Sequence, residues 1–230
     1  MGWLFYTDPS RVQGHAGEKA EIARLTTHKT ETVQYEPLQI SKVGGTWYAA
    51  VKKTPLDGKP IEQSAYVPNE DGSFVFAAIF LVSYDNGCFG YKDMDECMGP
   101  NEACAPMSLI AKLSPLIEPE TEDDSRHWAK RWRARCKAFA TIPNYAVGDV
   151  IALGTAIPLQ DGTVLSKVRK ASYPYRGKTR SYYIDVDGGG RYRLSKAHLA
   201  GSTLVTPASS GASDVLAEFA ARRSGAEGGS

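Results

Sequence analysis

Short strand-like runs separated by glycine-containing turns recur along this sequence and constrain its fold more than any other feature. Residues 36–43 alternate in polarity, Gly44-Gly45 supplies a turn, and residues 46–51 run back, a pattern that predicts a β-hairpin. Residues 73–84 contain the longest apolar stretch, which has the length of a buried strand and is too short to span a bilayer. We therefore expect an antiparallel sheet in the N-terminal part of the chain.

Three helices are expected to flank this sheet. Asp8-Pro9-Ser10 combines a capping residue with a proline suited to the first helical turn, so the first helix is predicted over residues 9–26. A second, short helix is predicted over residues 105–112. The third covers residues 126–139, directly after an acidic run, and its large apolar side chains recur at helical spacing.

The third predicted helix combines aromatic and basic residues, which allows two interpretations. Its apolar stripe comprises Trp128, Trp132, Cys136 and Phe139, and its basic positions are Lys130, Arg131, Arg133, Arg135 and Lys137. Arginines can grip phosphates and aromatic rings can stack on bases, which would suit nucleic-acid binding. We prefer the simpler interpretation, in which the stripe packs on the core and the basic residues form a solvated face.

The pattern changes at Gly148, after which turn sequences follow one another closely. They are Gln160-Asp161-Gly162, Arg176-Gly177-Lys178 and Asp187-Gly188-Gly189-Gly190. This spacing predicts a small five-stranded, barrel-like domain of the SH3 or OB kind that ends with a helical turn at residues 195–199. The expected fold class is thus α+β, with a mixed domain at 1–145, a basic β-barrel-like domain at 146–206 and a flexible tail at 207–230.

The net charge of +1 is distributed unevenly along the chain. Residues 1–145 contain 16 Lys and Arg against 19 Asp and Glu, whereas residues 146–206 contain nine Lys and Arg against four Asp. The second region therefore has a net charge of +5 within a slightly acidic chain. Such an asymmetry indicates a module that faces a polyanion, and it argues against a protein that mimics DNA by its negative charge.

Location and cofactor requirements can also be predicted from the sequence. The apolar start of the chain has no preceding cationic segment, so we expect a cytoplasmic protein with no membrane partner. Its four cysteines form no C-x-x-C pair and have no histidine at zinc-finger spacing, so free thiols are expected. Phosphate-loop, dinucleotide-binding, serine-hydrolase and zinc-protease motifs are absent from the sequence. We expect no cofactor, no metal and no catalytic residues, and we favour a binding protein over an enzyme.

The C-terminal module contains the candidate nucleic-acid-binding residues. They are Lys167, Arg169, Lys170, Arg176, Lys178, Arg180, Arg191, Arg193 and Lys196, and Tyr173, Tyr175, Tyr182, Tyr183 and Tyr192 are interleaved among them. Basic residues neutralise phosphates and tyrosines stack on bases, so this combination is typical of small nucleic-acid-binding barrels. A solvated surface with half-buried tyrosines fits the same pattern equally well.

A dense polar block at residues 90–96 is the alternative candidate site. Its carboxylates Asp93, Asp95 and Glu96 could hold a divalent metal ion or share acid–base chemistry. On a strand, Asp93 and Asp95 would point to the same side. At the start of a helix, Asp93 would cap and Glu96 would complete a capping box, which requires no ligand. We prefer this structural role, through capping and turn geometry, for all three residues.

Four segments together resemble a known protein family. They are Gly2-Trp3-Leu4-Phe5-Tyr6, Gly90-Tyr91-Lys92-Asp93-Met94-Asp95-Glu96, Met98-Gly99-Pro100 and Trp132-Arg133-Ala134-Arg135. In this order they resemble a family of uncharacterised proteins that bacteriophages, prophages and conjugative elements encode. The family has a Cys-Pro-Leu-like step where this chain has Cys104-Ala105-Pro106-Met107. The resemblance covers roughly residues 1–139, and it implies an accessory protein of a mobile element with no activity to carry over.

Three hypotheses on function follow from the sequence. The first is a non-enzymatic binding protein of a mobile element that engages nucleic acid or a host nucleoprotein complex, with anti-CRISPR or antirestriction activity as one role. The second is a metal-dependent enzyme that acts on nucleotides or nucleic acid through Asp93, Asp95 and Glu96. The third is a protein–protein adaptor that works through the N-terminal sheet. The charge asymmetry favours the first hypothesis over the third.

Overall fold

The computed structural model describes residues 4–62, 64–85, 88–99 and 101–208. Its backbone contacts divide the chain into two compact units, Met1–Ala140 and Thr141–Ser230. Most strands pair in antiparallel fashion, one sheet is curled into a half-barrel and the helical content is small, which confirms the α+β class.

The first unit contains a six-stranded antiparallel sheet. In chain order its strands are β1 (Leu4–Thr7), β2 (His28–Lys29), β3 (Val33–Val43), β4 (Thr46–Pro55), β5 (Phe74–Asp85) and β6 (Cys88–Asp95). In space they follow the order β1-β6-β5-β4-β3-β2. The predicted hairpin is β3 and β4, with Val43 paired to Thr46 and Gly44 at a φ of +61°, a conformation that glycine adopts without a steric penalty.

The helices of the first unit are α1 (Gly14–Thr26), α2 (Met107–Ile110) and α3 (Ser125–Ala140). A 3₁₀ helix at Pro9–Arg11 precedes α1, and the Asp8 side chain accepts the Ser10 N–H at its start. The helix predicted from residue 9 is therefore interrupted. The interruption has a local cause, because Gly14 has a φ of +62°, which lies outside the right-handed helical region.

Strand β4 is buried on both faces and separates two apolar clusters. Trp47, Ala49 and Val51 point to one side, where they pack with α1 through Ile22. Tyr48 and Ala50 point to the other side. There the cluster also contains Leu109 of α2 together with Trp132 and Cys136 of α3. Because successive strand residues face opposite sides, this uninterrupted burial requires helices on both faces of the sheet.

The second unit is built on a five-stranded antiparallel sheet. Its strands are β7 (Val150–Pro158), β8 (Val164–Tyr175), β9 (Lys178–Asp185), β10 (Arg191–Tyr192) and β11 (Thr203–Thr206), in the spatial order β10-β9-β8-β7-β11. The helical turn predicted near residue 195 is α4 (Lys196–Leu199). It has a capping box in which the Ser195 side chain accepts from the His198 backbone and the His198 ring accepts from the Ser195 N–H.

The core of the second unit begins before residue 146, where the barrel-like domain was predicted to start. Tyr145 is buried with Ile151, Val168 and other apolar side chains, and its hydroxyl lies 2.9 Å from the hydroxyl of Ser202. At the other end, the Ala208 N–H donates to Asp149. The residues just before β7 and those just after β11 are therefore both hydrogen-bonded within the second unit.

Two further expectations concern the chain as a whole. Most of the predicted flexible tail, residues 209–230, lies outside the described residues. In the part of the chain that the structure describes, no helix has the length and apolar character that a membrane crossing requires.

Candidate nucleic-acid interface

The hairpin of β8 and β9 places tyrosines and basic residues on one face of the second sheet. Tyr173 pairs with Arg180 across the hairpin, and Tyr175 pairs with Lys178. Directly paired residues of antiparallel strands project to the same side, so these four side chains are neighbours. Val168 points to the opposite side of β8 and is fully buried in the core. The side of this hairpin that carries Tyr173 and Tyr175 therefore faces outward.

Strand β10 extends the same face. Tyr182 of β9 pairs with Ala171, and Arg191 of β10 pairs with Ile184, which is itself paired with Arg169. The guanidinium of Arg191 lies 5.7 Å from the centre of the Tyr182 ring. Basic or aromatic side chains therefore lie on this face in all three adjacent strands.

The ring of Tyr173 lies beside the rings of Tyr175 and Tyr182, and each of the three tyrosines is contacted by an arginine. The Tyr173 ring lies 6.4 Å from that of Tyr175 and 5.7 Å from that of Tyr182, both edge to face. Arg180 lies 4.1 Å above Tyr175, a cation–π contact. Arg193 donates to the hydroxyl of Tyr173 at 3.3 Å.

We call this surface the Tyr–Arg face. It comprises Tyr173, Tyr175, Tyr182, Arg176, Arg180, Arg191 and Arg193. Part of it forms a cavity of about 350 Å³, which is lined by Tyr173, Tyr182, Arg191, Tyr192 and Arg193. The face thus offers ring surfaces, guanidinium donors and a concave site within one sheet.

The nine predicted basic residues occupy different environments. Arg176, Lys178, Arg180, Arg191 and Arg193 lie on or beside the Tyr–Arg face, and Lys167 and Arg169 are exposed on β8. Lys170 instead donates a hydrogen bond from its ammonium group to the backbone carbonyl of Tyr145, so this side chain has a structural role. Lys196 lies in α4 rather than in the sheet.

The five interleaved tyrosines also differ in exposure. Tyr183 belongs to the core, and burial raises the pKa of its phenol. Tyr192 packs partly against that core while it also lines the cavity. Alternation along β9 separates Tyr182 from Tyr183, so the period-two pattern of the strand could have distinguished them from the sequence.

Asp95 and Glu96 of the central block are hydrogen-bonded within the fold, but not through the predicted capping box. Asp93 and Asp95 lie in β6 and not at a helix start, so the predicted capping box with Glu96 is wrong. The residues after Asp95 form a turn, in which the Cys97 N–H donates to the Asp95 carboxylate at 2.7 Å. The Tyr66 hydroxyl donates to the same Asp95 oxygen at 3.2 Å. Burial raises the pKa of Asp95, although these hydrogen bonds oppose the shift.

Glu96 forms a buried ion pair with Arg133 of α3. The two carboxylate oxygens accept from Nε and Nη2 of Arg133 at 2.6 and 2.8 Å, and Oε1 also accepts the Ala77 N–H at 3.0 Å. Arg133 Nη1 donates to the carbonyl of Ser114 at 2.7 Å. Arg133 was predicted to be on a solvated face, and this was wrong because it anchors α3 to the turn after β6. Burial raises the pKa of Glu96, and the guanidinium opposes that shift.

The described residues of this block do not form a metal centre. In the described ranges, no three His, Cys, Asp or Glu side chains are placed so that they could hold a metal ion. Both oxygens of Glu96 are engaged by Arg133, which would compete with any cation for the carboxylate. The geometry therefore gives no support to catalysis by a metal bound at Asp93, Asp95 and Glu96.

Comparison with known proteins gives one partial match. A family model described as a domain of unknown function (DUF6927) matches residues 123–197, about a third of the chain. This segment includes α3, β7 to β10 and all nine predicted basic residues, whereas the resemblance to mobile-element proteins covers residues 1–139. No curated protein and no solved structure matches the chain. The description of the domain assigns no activity, so function has to be inferred from the side chains.

Proposed function

We propose that this protein binds nucleic acid through the Tyr–Arg face of its second unit. The observation that carries the proposal is the row formed by Tyr173, Tyr175 and Tyr182, each of which is contacted by an arginine. Aromatic rings beside guanidinium groups suit single-stranded nucleic acid, since bases stack on the rings and phosphates pair with the arginines. The net charge of +5 in residues 146–206 supports the same function.

We also propose that the sheet of the second unit is a barrel of the SH3-like kind. The strands form a meander in which β11 returns to pair with β7, and the helical turn α4 lies just before it. Small barrels of this type expose one curved sheet face. The Tyr–Arg face would be that surface.

The turn of the β8–β9 hairpin gives independent support. Arg176 has a φ of +47°. Among the described residues, every other residue with a positive φ is a glycine. Asn or Gly would adopt this conformation more readily, so an arginine at this position costs conformational free energy. Its guanidinium lies 5.4 Å from the centre of the Tyr175 ring, where it extends the basic and aromatic surface. Strain at such a position supports a functional role for the side chain.

The biological context of the proposal comes from the resemblance to mobile-element proteins. We propose an accessory protein of a mobile element whose target is nucleic acid, free or within a host nucleoprotein complex such as a CRISPR or restriction assembly. Nucleic-acid recognition by the second unit is compatible with either form of the target. Capture of partners from a host lysate, with and without nuclease treatment, separates the two forms.

Fluorescence anisotropy with the full chain and labelled single-stranded or duplex DNA and RNA tests the proposal. The logarithm of the affinity should fall linearly with the logarithm of the salt concentration, by roughly 0.7–0.9 for each phosphate contact. Charge reversal at Arg176, Lys178 and Arg180 should weaken binding and flatten this dependence. Tyr175→Leu should cost about 1–3 kcal/mol of binding free energy and leave the salt dependence unchanged.

The matched control is Lys59→Glu, which changes an exposed lysine of the first unit. It alters the net charge as a single reversal on the Tyr–Arg face does, but it should leave affinity nearly unchanged. No measurable affinity for any of these nucleic acids at low salt would refute the proposal. Equal losses in Arg180→Glu and Lys59→Glu would show that net charge alone, and not the Tyr–Arg face, drives binding.

A further inference from the structure

Two cysteine side chains lie side by side in the first unit. Cys136 of α3 belongs to the apolar cluster that contains Tyr48 and is only 1% exposed. Cys104, in the segment before α2, is partly exposed and packs against the same cluster. Both are free thiols, and the Cys104 thiol is within hydrogen-bonding reach of the Cys136 thiol. Because the two residues are 32 positions apart in the sequence, tertiary packing and not local geometry brings the sulfurs together.

The backbone on both sides of Cys104 is held against α3. Before it, the carbonyl of Ala103 accepts the indole N–H of Trp132 at 2.7 Å. After it, the N–H of Ala105 donates toward the sulfur of Cys136. Trp132 and Cys136 are four residues apart and therefore lie on the same face of the helix. Two contacts to one helix face thus fix the position of Cys104 beside Cys136.

The surroundings of the two thiols give them different chemical roles. Burial raises the pKa of the Cys136 thiol to about 12, and the neighbouring Cys104 adds to this shift. Since the thiolate is the nucleophile, Cys136 is poorly suited to react first. Cys104 is the thiol of the pair that a molecule from solution can reach, because it is partly exposed. Cys104 is therefore suited to the first attack, and Cys136 to the closure of a bond with it.

We propose that Cys104 and Cys136 form a reversible disulfide bond by exchange with a small-molecule disulfide of the glutathione type. The Cys104 thiolate attacks one sulfur of the oxidant, which gives a mixed disulfide and releases one glutathione. The Cys136 sulfur then attacks the sulfur of Cys104 and displaces the second glutathione. Each departing glutathione takes up a proton that a protein thiol has lost. Two protein thiols are thereby oxidised to one disulfide, while one glutathione disulfide is reduced to two thiols.

The bond joins the segment before α2 to α3, and both of these helices pack on the same face of the first sheet. A cross-link between residues 32 positions apart restricts the unfolded chain. Oxidation should therefore raise the melting temperature of the first unit by about 5 °C or more. The Tyr–Arg face lies in the other unit, so this inference does not rest on the proposed nucleic-acid binding.

Mass spectrometry of the full chain after incubation with excess oxidised glutathione tests the proposal. The reaction is stopped with acid, and the remaining thiols are alkylated in denaturant before digestion with trypsin and a protease that cleaves after glutamate. Cleavage after Glu102 separates Cys97 from Cys104, so the linked residues are identified without ambiguity. The chain should lose two hydrogens and yield a peptide pair that joins Cys104 to Cys136. Dithiothreitol should reverse both the link and the rise in melting temperature.

Three variants assign the roles of the thiols. Cys136→Ala removes the thiol that closes the bond, so this variant should stop at a mixed disulfide between Cys104 and glutathione. Cys104→Ser should form neither the mixed disulfide at this position nor the internal link. Cys97→Ser is the matched control, because Cys97 is also a partly exposed thiol of the first unit but lies beside the Tyr66 hydroxyl. It should form the link between Cys104 and Cys136 as the unaltered chain does.

Several results would overturn the proposal. The unaltered chain might keep both thiols in excess oxidised glutathione, stop at the mixed disulfide, or link either cysteine to another residue or to a second chain. An equal loss of two hydrogens in Cys104→Ser would also contradict it. Because Cys104 is partly exposed, circular dichroism should show a folded Cys104→Ser variant, so the result does not depend on the buried position alone.

Discussion

The Glu96 carboxylate has no exposed surface, and the Arg133 side chain that engages both of its oxygens is only 16% exposed. A buried ion pair of this kind stabilises a fold only as long as both partners are present, because each charge has lost its hydration. Arg133 joins two elements of the unit. It links α3 to the turn after β6 and also to the Ser114 carbonyl.

Replacement of Arg133 should therefore destabilise the first unit strongly. Arg133→Met is expected to lower the free energy of unfolding by about 3–5 kcal/mol, since it leaves the Glu96 carboxylate buried without a partner. Chemical denaturation followed by tryptophan fluorescence measures the loss. The double variant Glu96→Gln with Arg133→Met removes both charges and keeps an acceptor for the Ala77 N–H. Its free energy of unfolding should therefore fall much less than that of Arg133→Met. Equal losses in the single and double variants would contradict a stabilising ion pair.

At the scale of elements, the β8–β9 hairpin combines stability and function in one turn. Its two central residues, Arg176 and Gly177, have φ values of +47° and +71°, which match the type I′ pattern of two-residue hairpins. Asparagine occupies such a position at lower cost than arginine.

Arg176→Asn should accordingly raise the free energy of unfolding of the second unit by about 1 kcal/mol. The same change removes a guanidinium beside Tyr175, so affinity for single-stranded nucleic acid should fall. Thermal unfolding and anisotropy on the same samples measure the two effects. A variant that is less stable and binds equally tightly would show that Arg176 neither strains the turn nor contacts the nucleic acid.

Local patterns predicted the elements of this chain well, and long-range contacts account for most of what they missed. The hairpin of β3 and β4 and the helix α3 followed from alternation and helical spacing over neighbouring residues. The pairing of Glu96 with Arg133 joins residues 37 positions apart, which no local pattern reveals.

The candidate interface was predictable to a similar degree. The basic and tyrosine-rich composition of residues 146–206 identified the region, and the period of β9 separates the outward Tyr182 from the buried Tyr183. The hydrogen bond from Lys170 to the Tyr145 carbonyl was not predictable, since it depends on where the segment before β7 packs.

At the scale of the whole molecule, the chain divides between Ala140 and Thr141. Tyr145 and Ile142 pack with the apolar side chains of the second unit, and the Ala146 N–H donates to Asp149. The segment just before residue 146 is therefore part of the second folded unit. A unit of this size has a small free energy of unfolding, so each large core side chain contributes an appreciable part of it.

Two fragments test this division. Residues 141–208 should unfold cooperatively on their own, because they contain the complete apolar cluster together with the bond from Ala208 to Asp149. Residues 146–208 lack Tyr145. This fragment should have a free energy of unfolding about 3 kcal/mol lower than that of residues 141–208, or fail to fold, as expected when a large aromatic side chain is removed from a core. Circular dichroism during heating compares the two, and limited proteolysis of the full chain should yield a product that retains Tyr145. Equal melting temperatures would place Tyr145 outside the second unit, and failure of residues 141–208 to fold would show that this unit depends on residues 1–140.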